Sequence, residues 1–199
     1  MKNLHTALCT AFVVVVAVSL SNAQNVPAAA QGGDFRGSNW GDSEAKVKVN
    51  EKCNMLSEEE GRLIYNCPLM DSEGKVVYTF TTNDKLMRAK YFLTPDYFNM
   101  IFYIRDFRMY EEILTKKYGR PDMVIPKVIS KQAISEDEWA TFLSAGELFV
   151  EAKWTKGKTE VRLTLSKTGP FPAIQIDYIS LEMTKEDHQA RLVALEKDL

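Results

Sequence analysis

Period-two alternation of apolar and polar residues marks two groups of strands along this chain. In the first group Val76, Tyr78 and Phe80 alternate with Val77, Thr79 and Thr81. Met87, Ala89, Tyr91 and Leu93 alternate with Leu86, Arg88, Lys90 and Phe92. The pattern predicts antiparallel strands with one face better buried than the other. Three strands follow, at 62–69, 75–82 and 85–93, turned by Asp71-Ser72-Glu73-Gly74 and Asn83-Asp84. In the second group Leu148, Val150, Ala152 and Trp154 alternate with Phe149, Glu151 and Lys153. Val161, Leu163 and Leu165 alternate with Glu160, Arg162, Thr164 and Ser166. Lys156-Gly157-Lys158 turns this meander, Gly169-Pro170-Phe171-Pro172 breaks it, and 173–181 is its last strand.

Steps of three and four residues mark the helices between these groups. Asp42 or Ser43 caps a helix to about residue 52, with a thin apolar face of Ala45, Val47 and Val49. Trp40 is placed to plug the junction of that helix with the sheet. Met100, Tyr103, Ile104, Phe107, Tyr110, Leu114 and Tyr118 form a helical stripe. Thr94 is its expected N-cap, Pro95 its first helical residue and Gly119 its end, a span of about 35 Å. Residues 122–134 read as a connector. Ser135 and Glu138 form a capping box for a short helix to about Ser144, and Thr184 with Asp187 caps a closing helix over 184–199. The fold class is α+β: a single domain over 35–199 with two helix-then-antiparallel-meander halves, about 35–93 and 94–183. Its sheet packs against a long central helix.

The amino end changes the setting. Lys2, the apolar run AFVVVVAVSL from Ala11 to Leu20, and Ser21-Asn22-Ala23 make an export signal over 1–23. Polar Ser21, Asn22, Gln24 and Asn25 come too early for a spanning helix of roughly 20 apolar residues, so no transmembrane anchor is expected. Residues 24–34 (QNVPAAAQGGD) lack periodicity and read as a flexible leader. Cleavage removes Lys2 and no acid, taking the formal charge from 25 − 27 = −2 to 24 − 27 = −3. That balance argues against a nucleic-acid partner. Only Cys53 and Cys67 remain after cleavage, and in an oxidising compartment, periplasmic or extracellular, such a pair is most simply a disulfide. Closing that loop of about 15 residues contributes ~3 kcal/mol in the chain-entropy model.

Catalytic chemistry is hard to place. His188 is the only histidine of the mature chain and sits in a polar helix. There is no G-x-S-x-G elbow, H-E-x-x-H pair or Walker loop. Glu58-Glu59-Glu60, Glu111-Glu112 and Glu136-Asp137-Glu138 read as solvated charge runs in turns and on helix surfaces. No catalytic residue, cofactor or metal site is assigned. Phe92 and Phe149 stand out, because their strand faces also carry Arg88, Lys90, Glu151, Lys153 and, on the neighbouring strand, Arg162. Aromatics among charges fit an interface with another protein.

The segment FRG-x-x-WG-D-S at Phe35–Ser43, with Tyr78-x-Phe80, the KYG-x-P of Lys117–Pro121 and the Trp154 strand, resembles a group of bacterial exported proteins of unknown function. The order of elements in the first half also resembles the β-lactamase inhibitor proteins and the small outer-membrane-assembly lipoproteins. Those place a helix before a β-meander. The inhibitor proteins join the helix end to the first strand by a disulfide, the role expected of Cys53 and Cys67, and bind partner proteins on a concave sheet face. The function expected is therefore an exported, non-enzymatic binding or interaction module for another envelope or extracellular protein. Its candidate contacts are Arg88, Lys90, Phe92, Phe149, Glu151, Lys153 and Arg162. A carboxylate- and tyrosine-based envelope enzyme, or a carrier of a small apolar ligand, is the alternative. The oligomeric state is left open. Cleavage before Gln24 is the first testable consequence: the intact mass of the exported protein should correspond to residues 24–199, and a mass that includes Met1–Ala23 would contradict it.

Overall fold

The computed structural model describes residues 33–70, 72–128 and 134–198. The expected signal and leader up to residue 32, Asp71 of the first predicted turn and part of the predicted connector lie outside the described residues. Among the described residues, eight antiparallel strands form one sheet in the order β1-β2-β3-β4-β8-β7-β6-β5. Helix α1 (Glu44–Asn50) precedes β1 (Asn54–Glu59), β2 (Arg62–Asn66), β3 (Gly74–Phe80) and β4 (Leu86–Leu93). Helix α2 (Met100–Tyr118) precedes β5 (Met123–Val128), a 3-10 turn at Glu136–Glu138, α3 (Trp139–Ala145), β6 (Leu148–Lys156), β7 (Thr159–Ser166) and β8 (Ala173–Ser180). Helix α4 (Leu181–Asp198) closes the chain. Each half is thus a helix followed by four strands, and the last strands of the two halves, β4 and β8, pair at the middle of the sheet.

The alternating residues fall where the pattern places them. Val76, Tyr78, Ala89, Tyr91, Val150, Trp154, Val161 and Leu163 are all buried on the helix side, and Ile176 and Tyr178 of β8, a strand expected without assigned faces, join them. Helix α2 covers this side over β6, β7 and β8, burying Tyr103, Phe107, Tyr110 and Leu114. Its carboxyl end is fixed by the Trp154 indole, which donates to the Gly119 carbonyl at 2.9 Å. The long helix therefore lies over the second meander rather than centrally over both. Among the described residues no helix is long and apolar enough to cross a membrane.

Several boundaries differ from the pattern, each for a local reason. Two edge strands escape it. Strand β1, expected as a charged turn, has nearly all its residues exposed and a bulge between Met55 and Ser57, so it shows no period. Strand β5, expected within a connector, contains Pro126, which an edge strand tolerates because one row of its amides meets no neighbour. A second bulge, at Thr79/Phe80, turns Leu86 into the core and leaves Met87 half-exposed. Helix α2 starts at Met100, not Pro95, because the Tyr103 hydroxyl donates to the Pro95 carbonyl and accepts from the Tyr97 amide. Those bonds hold 95–97 outside the helix, and Asn99 becomes the cap by accepting from the Ile101 amide. The 19 residues span about 28 Å. Helix α4 begins directly after β8, with the Ser180 hydroxyl accepting from the Met183 amide. Asp187 is no part of a cap: it is buried, accepts from the Thr82 amide and pairs with Arg191. In α1 only Val47 is buried, and Val49 is 73% exposed. The capping box at Ser135 and Glu138 is present.

Cys53 and Cys67 form the disulfide, with their Cα atoms 5.5 Å apart. It joins the segment after α1 to the end of β2, the strand expected over 62–69, which becomes second in the chain because β1 precedes it. Beside it the chain runs so close that Gly74 has no room for a side chain: a Cβ there would lie 2.9 Å from the Cys67 carbonyl oxygen and 2.7 Å from Leu93. Cys53→Ala should lower stability to denaturant by about 3 kcal/mol under oxidising conditions and change little under reducing ones. Equal loss in both conditions would show that the covalent link is not what is lost.

Candidate functional site

Two places concentrate charge, and they lie on opposite sides of the sheet. The first is the amino-terminal segment that carries the FRG-x-x-WG-D-S motif. Phe35 inserts among Tyr78, Tyr91 and Tyr178, with ring centroids 5.0–5.5 Å away. Gly41 donates its amide to the Leu86 carbonyl while Leu86 donates to the Asp42 carbonyl, so the motif zips onto the start of β4. The Trp40 indole donates to the Thr159 hydroxyl and the Trp40 amide to the Asp34 carboxylate. Trp40 thus ties the segment to the second meander, with its side chain in the buried core.

Between these anchors Arg36 sits in the left-handed region, at φ 45°. That is a costly conformation for a residue with a side chain. Its guanidinium forks onto the buried Glu51 carboxylate with two bonds of 2.8 Å. Glu51 also accepts from the Tyr78 hydroxyl at 2.6 Å and from the amides of Lys52 and Cys53. Burial alone would raise the Glu51 pKa, but the bonds from Arg36, Tyr78 and Cys53 outweigh it and hold the carboxyl below its ordinary value. Burial and the neighbouring carboxylate push the Tyr78 phenol well up. Both groups are thus fixed in one protonation state, the opposite of what proton transfer requires. Glu51, Cys53 and Cys67 cluster closely enough to suggest metal ligands, but both sulfurs are committed to the disulfide. This network holds structure together.

The second place is the sheet face turned away from α2. All seven candidate residues lie there, in adjoining rows. Lys90 is opposite Asp177, which is opposite Arg162, which is opposite Lys153. In the next row Phe92, Gln175, Thr164 and Glu151 stand side by side, and Phe149 follows beyond Glu151 on β6. Arg62, Lys75 and Lys127 join the same face, so cations outnumber the carboxylates Glu59, Glu151, Glu160 and Asp177. The imbalance is local, since the whole chain carries −2.

Two of those carboxylates are buried although they point outward. Asp177 accepts from Arg88 at 2.7 and 2.9 Å. Glu160 is held by Lys153 and Arg162, each within 2.6 Å. Burial opposes ionisation of Glu160, but these two partners prevail and hold its carboxyl below the ordinary value. Sequence alternation finds the cations but not Asp177 or Glu160, because a carboxylate at an alternating position reads as solvated. It takes the pairing of β4 with β8, and of β7 with its neighbours, to show them covered by long basic stems. Arg88 is therefore a fixed partner of Asp177 rather than a free charge. Lys90 differs: its ammonium donates to the Gln175 side-chain oxygen at 3.2 Å, and among the described residues no ion pair engages it.

No protein-family model matches the chain. No curated protein or solved structure matches it significantly either. The motif resemblances therefore stand on their residues alone. The remaining acidic runs are spent on surface pairs, among them Glu58 with Lys48, Glu112 with Lys116 and Glu136 with Arg108. His188 is exposed on α4.

The buried pair gives a pH prediction. Because the Glu51 pKa is lowered in the fold, its contribution is fully present above the unfolded carboxyl value and is lost as pH falls through the folded one. Glu51→Gln should cost about 3–5 kcal/mol at neutral pH, since it leaves Arg36 buried and uncompensated, and progressively less in acid. Parallel acid-unfolding curves for the two proteins would refute this.

Proposed function

We propose that this chain is an exported, non-enzymatic binding module that takes a partner protein on the outer sheet face. The observation that carries the reading is that helices α2 and α3 pack on one side only. The other side carries aromatic residues set among charges across both meanders; helix α4 contacts β4 and β8, and its Arg191 shares a groove with Arg62, Thr79 and Met87. Phe92 and Phe149 are half-exposed there, each on the wall of an open groove, of about 320 and 660 Å3. Interfaces draw most of their energy from a few such anchors ringed by polar groups. The disulfide and the expected signal suit an oxidising compartment outside the cytoplasm. The resemblance to the β-lactamase inhibitor proteins, which bind partners on a sheet face, points the same way.

The enzyme alternative draws less support. A carboxylate general acid needs a raised pKa in a cleft, whereas Glu51, Glu58, Glu112 and Glu160 are all held low. An apolar-ligand carrier would need space on the helix side, and there Trp154, Tyr78, Tyr91, Tyr103, Phe107 and Tyr178 fill the interior.

Because Arg88 covers Asp177, its reversal to Glu would set two carboxylates together and disturb the fold. The two phenylalanines make the cleaner test. Phe92→Ser with Phe149→Ser should leave the near-ultraviolet circular dichroism intact. Capture of the partner from the native envelope fraction should weaken about thirty-fold or more, the loss expected of a hot spot. Full capture by this double variant would rule out the outer face.

A further inference from the structure

The smaller groove carries a more specific reading of that face, one that rests on the outer-face proposal. Its apolar wall is Ile64, Val77 and Phe92, drawn from three neighbouring strands, and its basic wall is Arg62, Arg88 and Lys90. The three cations are not equally satisfied. Arg88 is bonded to Asp177, and Arg62 reaches Glu59 only at 3.7 Å with both side chains about half exposed. Lys90, half-buried, has a neutral amide as its hydrogen-bond acceptor. Burial, then the nearby Arg88 and Arg62, hold its ammonium below the ordinary lysine value in spite of Asp177. A positive charge kept partly out of water without a paired anion is costly, and a carboxylate arriving from outside removes that cost.

We propose that this groove seats an acidic side chain of the partner protein, an Asp or Glu next to an apolar residue. The carboxylate meets Lys90 and Arg62, and its apolar neighbour lies against Ile64, Val77 and Phe92. Charge complementarity selects the acid. The apolar wall selects a protein source: a free phosphate would satisfy the cations and leave the wall bare. A recess between strands cannot meet a flat lipid surface as protruding side chains would.

Isotope-labelled exported protein, titrated with the peptide Ac-Leu-Asp-Phe-Glu-Leu-amide and followed by amide chemical shifts, tests this. Saturable shifts are expected at Ile64, Val77, Lys90 and Phe92. Affinity should be about ten-fold higher than for the Asn/Gln twin of the peptide, as loss of a charge-assisted bond implies. Lys90→Met keeps the length of the stem and removes the charge; it should reduce affinity to that of the twin and leave inner-face signals in place. Equal binding of the twin, tighter binding of inorganic phosphate or of phosphatidylglycerol vesicles, or no saturable shift would overturn the proposal. Shifts gathered instead at Phe149 and Lys153 would overturn the groove and leave the outer-face reading standing. Shifts on α2 or α3 would overturn both.

Discussion

The fork of Arg36 onto Glu51 is the interaction on which the arrangement depends. It joins a residue in a strained backbone conformation to a carboxylate sealed from water, and neither is tolerable without the other. From that fork the chain places Phe35 one residue earlier and Trp40 four residues later. Phe35 reaches Tyr78, Tyr91 and Tyr178, on β3, β4 and β8. Trp40 reaches Thr159 on β7. A segment with no regular secondary structure thereby clamps the seam where the two meanders meet. The Glu51 carboxylate also accepts from the Cys53 amide, so the disulfide and the clamp brace the same few residues.

Placing the clamp on the helix side has a consequence for the other side. Each meander alone would offer a small sheet with two open edges; paired through β4 and β8 they make one surface eight strands wide. The outer edges are blunted in different ways, by a bulge and acidic residues on β1 and by Pro126 on β5. Growth of the sheet by edge pairing is discouraged, and under the proposed function recognition falls to the face rather than the edge.

Much of this was legible in the chain, for a physical reason. Alternation reports burial directly wherever a strand has one dry face, so the inner residues of β3, β6 and β7, and those of β4 from Ala89 onward, could be assigned from spacing alone; before Ala89 the bulge exchanges Leu86 and Met87, and β8 was placed only as a strand. The same alternation put all seven candidate contacts on one side. It could not report β1, which has no dry face, or β5, where a proline counts against a strand unless its edge position is known. Nor could it find the start of α2. Thr94-Pro95 is a good local helix start, and it lost to Tyr103, whose hydroxyl claims Pro95 and Tyr97 once the helix has formed. Arg36 and Glu51 are 15 positions apart with no periodic relation. As sequence they are two ordinary charges, and only the closed turn of the motif makes them a pair.

Under the proposed function, the pairings on the outer face set how it would bind a partner. Asp177 and Glu160 hold Arg88, Lys153 and Arg162 in place, so those cations present stems and partial charge rather than mobile, fully hydrated ends. Ordering them costs a partner little, because the fold has already ordered them. Their charge is also largely answered within the sheet, and they should shape a contact more than drive it. The half-buried Lys90 and the two phenylalanines are the groups with something left to gain from a partner. The fixed pairs give the face its form, and the less satisfied groups between them are where affinity and selectivity can arise.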